Sequence, residues 1–324
     1  MVETGHATDH KLGLPVWSLY GETRKPTATM LEGLDAVLVD IQDVGTRVYT
    51  FIWTLKLLME GCGERGVRVI VLDRPNPVGA QAVEGNLLEE ENASFVGLDA
   101  IPMRHGMTVG ELALWFTRFG GVKCELEVVR MEGYRRAASF AETGLPWVMP
   151  SPNMPTADTA LVYPGTVLLE GTTASEGRGT TRPFELFGGP WGKPEELAKT
   201  LERENLPGVV FRSVVFQPTF QKWAGKNCLG AQLHVTDATA FKPYLTGIAI
   251  LKTFWSLCRS EGFGWREPPY EYESEKLPID MLIGSKAARA MVESGAPLAE
   301  IEKSWLGKLE KWKETRRECL LYQD

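Results

Sequence analysis

Residues 34–41 read LDAVLVDI. The run is almost wholly apolar, rich in branched side chains, and carries a carboxylate near each end. Without polar alternation it predicts a strand buried on both faces, as in a parallel sheet. A loop, QDVGTR, covers residues 42–47. From Val48 to Cys62 the residues Phe51, Leu55, Leu58 and Cys62 recur at three- and four-residue spacing, which predicts a helix with one apolar stripe, and Gly61 and Gly63 are candidate terminators. Val67–Leu72 is a second apolar strand, ending in Asp73, Arg74, Pro75, Asn76 and Pro77. Strand, helix and strand in this order form a βαβ unit. Ligands of open α/β sheets bind at the carboxyl ends of the strands. Asp40, Gln42, Asp43 and Arg47 follow the first strand, and Asp73, Arg74 and Asn76 the second. The two groups are expected to share one rim.

Farther along, Thr108 and Glu111 make a capping box ahead of Leu112, Leu114, Trp115 and Phe116. A strand is expected over 125–129, and a rigid loop over 146–155. After that the texture changes. Glycine and threonine crowd residues 165–192, strands are expected at 209–216 and 233–236, and Pro243 opens a helix to Cys258. A charged amphipathic helix covers 301–317. The chain reads as an α/β domain over residues 1–130 and an α+β domain over 131–324.

The sequence has 324 residues, 44% hydrophobic and 24% charged, which is enough apolar material for two cores. Its 35 Lys and Arg against 42 Asp and Glu leave a net charge of −7, so it lacks the field of a non-specific phosphate-backbone binder, and no nucleic-acid partner is expected. Cys62, Cys124, Cys228, Cys258 and Cys319 are too dispersed for a zinc knuckle and suit a reducing compartment. The apolar stretches are broken by Lys, Gly or Asp, so no membrane span is expected. Met1–Lys11 shows no cationic stretch followed by an apolar one. The chain as given reads as cytoplasmic, and as extracytoplasmic if a signal peptide precedes it. GxGxxG after a strand, GxxxxGK[ST], GxSxG and HExxH are all absent, which removes specific support for dinucleotide, P-loop, hydrolase-elbow and zincin readings.

Charged and amide groups in loops remain. TTASEGRGTTRPFE (172–185) sets Glu176, Arg178 and Arg182 among small residues, where backbone and ligand can approach closely and arginines can clamp a carboxylate. The same stretch also fits a tight loop held by local ion pairs. SPNMPT (151–156) places Asn153 between two prolines. His105 stands between Arg104 and Gly106 at an expected strand end. Glu84 and Glu170 are plausible flanking acids. Paired acids with arginines and aromatics suit a sugar hydrolase, or equally a sugar- or nucleotide-binding module.

Longer stretches narrow this. GLPVWSLYGETRKPT (13–27), VDIQDVGTRVYTF (39–51), VLDRPNPVG (71–79), PMRHGMTVGELA (102–113), GLPWVMPSPNMPT (144–156) and YPGTVLLEGTTASEGRGTTRPFE (163–185) resemble the bacterial exo-β-N-acetylmuramidase family, formerly a domain of unknown function. The resemblance covers nearly the whole chain. It implies a Rossmann-like amino-terminal domain, incomplete here, and a smaller carboxy-terminal domain completing the cleft. It implies hydrolysis of non-reducing-terminal N-acetylmuramic acid from peptidoglycan fragments such as MurNAc–GlcNAc, and no metal or organic cofactor. A non-catalytic muramyl-sugar binding protein is the alternative. Family members usually carry roughly 60 to 70 further residues before the first match, and losing their strands would bare a sheet edge. A glutamate in that portion is a leading candidate for the catalytic acid. Within this chain the resemblance implies Glu84, Glu176 and His105 as catalytic candidates. For substrate binding it implies Asp40, Gln42, Asp43, Arg47, Asp73, Arg74, Asn76, Arg104, Asn153, Arg178 and Arg182. Arg47, Arg178 and Arg182 are expected to meet the lactyl carboxylate.

Overall fold

The computed structural model describes residues 5–323. A short antiparallel ribbon, β1 (Ala7–Thr8) with β2 (Pro15–Val16), precedes the first domain. Then come β3 (Ala36–Val39), α1 (Phe51–Gly63), β4 (Arg68–Leu72), β5 (Glu84–Leu87), β6 (Pro102–Arg104), α2 (Val109–Arg118) and β7 (Leu126–Val129). β3, β4 and β7 form a parallel sheet in that order, with Val37 opposite Val69 and Val69 opposite Leu126. Of the expected α1 stripe, Leu55 and Cys62 are buried in a core shared with Val69, Val71, Leu112 and Phe116, where Ile52 and Met59 join them; Leu58 lies at its edge and Phe51 packs on the second core. Burial of each large aliphatic stabilises by on the order of 1.5–3 kcal/mol. Both capping-box bonds form, Glu111 N–H to Thr108 Oγ1 at 3.2 Å and Thr108 N–H to Glu111 Oε2 at 3.0 Å.

One expectation for the first strand fails. Leu38 is 63% exposed. β3 is the edge of the three-stranded sheet, and among the described residues neither a neighbour strand nor a helix covers that side chain. The second expected strand of the carboxy-terminal half is also longer than read, because pairing begins at Cys228.

The second lobe holds α3 (Ala157–Thr166), β8 (Leu186–Gly189), α4 (Pro194–Arg203), β9 (Val209–Phe216), β10 (Cys228–Val235) and α5 (Pro243–Cys258), followed by α6 (Pro278–Ile283), α7 (Lys286–Glu293) and α8 (Leu298–Arg316). Its antiparallel sheet runs β8–β10–β9 and buries Phe187 and Phe211 against Phe254 of α5. The end of α8 crosses back to the first lobe. Trp312 packs on Trp115 with ring centres 5.3 Å apart, and Cys319 lies in the first core. No helix among the described residues is long and apolar enough to cross a membrane.

Candidate active site

The carboxyl ends of β3 and β4 do meet. Arg74 Nε donates to Asp40 Oδ1 at 2.5 Å, and this hydrogen bond holds the Asp40 carboxyl below its ordinary range. Gln42 Nε2 donates to Pro75 O at 2.9 Å and to Asp43 O at 2.7 Å, tying the two loops together. Beside them opens a cleft of about 510 Å³, lined by Asp40, Asp73, Arg74, Tyr134, Arg135 and Glu142 among others.

Several expected binding residues instead hold the scaffold. Asp73 accepts from Thr108 Oγ1, the Gly110 N–H and the Tyr322 hydroxyl, so it anchors the start of α2 and the chain's tail. Burial raises its pKa against those donors. Asn76 donates to Met107 O and accepts from the Val78 N–H. It also braces Gly45, whose φ of +72° favours glycine and where a Cβ would overlap the Asn76 and Val78 side chains.

Arg47 was expected to meet substrate, and the structure corrects this. It is fully buried, and its guanidinium donates to the carbonyls of Asn86, Ile101, Leu282 and Ile283. Burial lowers its pKa to about 10, still far above neutrality, so it is a charged rivet between α6 and the β5–β6 ribbon. Glu84 is corrected likewise. Its two oxygens accept from the Leu245 N–H at 2.8 Å and the Tyr244 N–H at 3.2 Å, at the amino terminus of α5. The helix end suits a carboxylate, but burial pushes its pKa up to about 7. Arg104, its partner in the ribbon register, is buried and donates to Val78 O.

A second polar group lies where the lobes meet. Asp43 accepts from the Gly45 N–H at 2.7 Å, and His105 Nε2 stands 3.3 Å from its Oδ2, off the line of a good hydrogen bond. His105 Nδ1 accepts from the Met107 N–H, which assigns the ring proton to Nε2, facing Asp43. His105 is fully buried, with Asp43 as the acid beside it. Asp43 Oδ1 is buried without a hydrogen-bond partner. So is the Tyr49 hydroxyl, which has the Ser151 side chain near it but no bond of good geometry. Burial raises the Tyr49 pKa well above normal, and the charges of Asp43 and Arg178 both act on it. Tyr49 therefore marks where the strand-end loops meet the glycine-rich loop. Its ring meets Tyr163 edge-on at 5.8 Å.

On the second-lobe side, Arg178 is clamped by acids. Its Nη2 donates to Glu170 Oε1 at 2.5 Å, and its Nε lies 3.4 Å from Glu176 Oε1. Lys222 Nζ donates to Glu176 Oε2 at 2.9 Å, and the Tyr270 hydroxyl donates to Glu170 Oε2 at 2.7 Å. Burial works against the Glu170 charge, but Arg178 and Tyr270 outweigh it and hold its pKa low. Arg178 Nη1 makes no hydrogen bond among the described residues, leaving one donor edge for a ligand carboxylate. Both Glu176 oxygens are taken by cations, so it is placed to hold Arg178 rather than to deliver a proton. Asn153 is half-buried and makes no hydrogen bond among the described residues. Arg182 is half-exposed at its side chain and pairs with Glu185 at 3.2 Å, outside the clamp.

Sequence reasoning passed over Tyr49, Tyr163, Lys222 and Tyr270. Tyr49 and Tyr163 sit inside quoted stretches, VYTF and YPGT, where aromatics read as core. Lys222 and Tyr270 lie in segments without a motif. Among the described residues no three His, Cys, Asp or Glu side chains could hold a metal ion.

Comparison with known proteins agrees with this two-lobe arrangement. Residues 1–158 match the family model of the amino-terminal part of exo-β-N-acetylmuramidase NamZ, and residues 161–322 that of its carboxy-terminal part. The chain is 46% identical over 320 residues to the peptidoglycan β-N-acetylmuramidase NamZ of Bacillus subtilis (strain 168), covering 99% of this chain and 75% of that protein. Two crystal structures of DUF1343 family proteins from Bacteroides fragilis NCTC 9343 are similar. One has a TM-score of 0.88 at 33% identity, the other 0.78 at 29%, each covering 98% of this chain and 82% of its own. The chain belongs to the NamZ exo-β-N-acetylmuramidase family of glycoside hydrolases.

Proposed function

We propose that this chain removes N-acetylmuramic acid from the non-reducing end of muropeptide-derived saccharides such as MurNAc–GlcNAc, in the cleft where the two lobes meet. The reading takes residues 1–130 as one wall and 131–324 as the other. The observation that carries it is the clamped guanidinium of Arg178. Muramic acid differs from N-acetylglucosamine by a lactyl carboxylate, and a buried arginine with one free edge can pair with that group. Glu170 and Glu176 fix the plane of Arg178, so the preference is built in before binding. Asp43, beside His105, and the Tyr49 hydroxyl offer buried polar atoms to sugar hydroxyls. Asn153 offers an amide from its rigid loop. Asp40, Gln42, Arg74 and Arg182 line the outer approach, while Arg47, Asp73, Asn76, Glu84 and Arg104 keep the walls in register.

The experiment is release of N-acetylmuramic acid from MurNAc–GlcNAc, with a chromogenic MurNAc glycoside and its GlcNAc counterpart as controls. Release from the muramic substrates alone is expected, and Arg178→Ala is expected to narrow the preference. Tight MurNAc–GlcNAc binding without release would establish the binding-protein alternative. Equal turnover of both chromogenic sugars would remove Arg178 from the role assigned to it.

A further inference from the structure

Residues 270–273 close a two-residue turn. The Tyr270 N–H donates to Glu273 O at 2.9 Å, and the Glu273 N–H donates back to Tyr270 O at 3.0 Å. Glu271 and Tyr272, the two central residues, have φ of +45° and +68°. Positive φ at both centres is the habit of turns that ordinarily use Asn-Gly or Gly-Gly. A glutamate followed by a tyrosine is conformationally unfavourable there, and such outliers persist where surrounding contacts over-determine them.

Contacts of both neighbouring tyrosines fix the turn. Tyr270 reaches into the second lobe through Glu170. Tyr272 reaches the amino-terminal segment: its hydroxyl donates to Tyr20 O at 3.2 Å, and the Arg24 guanidinium stacks 3.4 Å from its ring centre. Tyr20 in turn bonds Thr50 and Thr54 at the start of α1, one residue from Tyr49. The turn is thus pinned to Glu170 on one side and to the segment ahead of β3 on the other, and Glu271 lies between the pins. Its side chain is half-buried, yet among the described residues it makes no hydrogen bond and no ion pair. It sits within the fields of Glu170, Arg178, Tyr163 and Tyr270.

Resting on the function proposed above, we propose that Glu271 is a catalytic residue of this chain, the acid that protonates the departing glycosidic oxygen. The glycosidic C–O bond breaks as the Glu271 proton passes to the leaving sugar's oxygen. The anomeric carbon takes its new oxygen from water, and the proton that water sheds returns through solvent to Glu271. Glu84, Glu176 and His105 are sealed or fully engaged, whereas this carboxyl has no hydrogen-bond or ion-pair partner among the described residues. Burial, then the negative charge of Glu170, raises its pKa, while Arg178 and Arg24 pull the other way. A bound lactyl carboxylate would add negative charge nearby and favour the protonated form further. That is the form a leaving oxygen needs.

The test compares the parent with Glu271→Gln and Glu271→Gly on two substrates, MurNAc–GlcNAc and a nitrophenyl MurNAc glycoside, with thermal melting as the folding control. Parent turnover of MurNAc–GlcNAc comes first; its absence would sink the proposed function itself. Loss of an acid slows a sugar leaving group by about 10²- to 10⁴-fold. A nitrophenolate leaves without protonation and is expected to be much less affected. Glu271→Gly relieves the positive φ, so its melting temperature is expected to equal or exceed the parent's while disaccharide turnover falls. If both variants fold and turn over the disaccharide at the parent rate, or slow both substrates equally, Glu271 is not the acid.

Discussion

Replacing Arg178 by alanine isolates the most heavily invested charge of the site. Arg178 and Glu170 are 2.5 Å apart, with side chains 17% and 11% exposed. Removing one partner of a buried pair costs about 3–5 kcal/mol, because the other charge is stranded. The two acids on Arg178 are not equally vulnerable. Glu176 keeps Lys222 at 2.9 Å, while Glu170 keeps, among the described residues, the Tyr270 hydroxyl and the weaker field of Lys222. The loss therefore falls mainly on Glu170 and is expected near the lower end, about 3 kcal/mol. At about 2–4 °C per kcal/mol for a domain of this size, the melting temperature falls by roughly 6–12 °C. The pH dependence has a definite sign. Glu170's folded pKa lies below its unfolded value of 4.5, so its contribution is present above that pH and is lost as pH falls through the folded value. Without Arg178, burial dominates and the folded pKa rises, so the variant regains relative stability on acidification. The gap between parent and variant is expected to narrow from pH 7 to pH 4. The assay is thermal melting of the parent, Arg178→Ala, Glu170→Gln and the double variant. An additive cycle, a loss below about 1 kcal/mol, or a gap that widens with acid would refute the reasoning.

Three further outcomes are expected. Arg47→Met takes a donor from four carbonyls, of which Ile101 and Ile283 keep another, and is expected to cost at least about 3 kcal/mol in a denaturant melt, however well the methionine packs. Glu84 has its pKa raised to about 7 from 4.5, so its contribution is full below about 4.5 and is lost as pH rises through about 7; Glu84→Gln should flatten that decline in melts across the interval. Asn153→Ala, which breaks no hydrogen bond among the described residues, is expected to shift stability by less than about 0.5 kcal/mol while raising KM for MurNAc–GlcNAc in the release assay.

The amino-terminal βαβ unit was legible because its signals are local. An unbroken apolar run, a three-four stripe and the Thr108 capping box each need only neighbours in the chain. Leu38 shows the limit: a strand's sequence states that it suits a sheet, not which neighbours cover it. The β5–β6 ribbon was unread because EGNL and PMR lack β-branched residues, and α3 because Pro164 and Gly165 lie within it. The site was half legible. Arg178 and Glu176 share one loop, but Tyr270 reaches Glu170 across 100 residues and Lys222 reaches Glu176 across 46, and no spacing rule spans that.

The long family-like stretches mix two kinds of polar residue. Arg47 spends its charge on carbonyls of both lobes, and Glu84 spends its own on the amino terminus of α5. They look like site residues in the sequence because strand ends are where sites form, and the same strand ends are where the lobes must be fastened. Unused hydrogen-bonding capacity at the tip of the side chain separates the two kinds. A group such as Arg47, fully buried with both terminal nitrogens spent on carbonyls, reaches the chemistry only by moving a wall, so its loss should lower melting temperature and turnover together. An unsaturated one, such as Asn153, Tyr49 or the free edge of Arg178, has bonding capacity that folding did not consume. Where that capacity is the whole of a residue's polar content, as at Asn153, substitution should lower turnover and leave the melting temperature where it was. Arg178 belongs to both kinds, held by two acids and open on one edge, so its variants alone among these should lose stability and sugar preference at once.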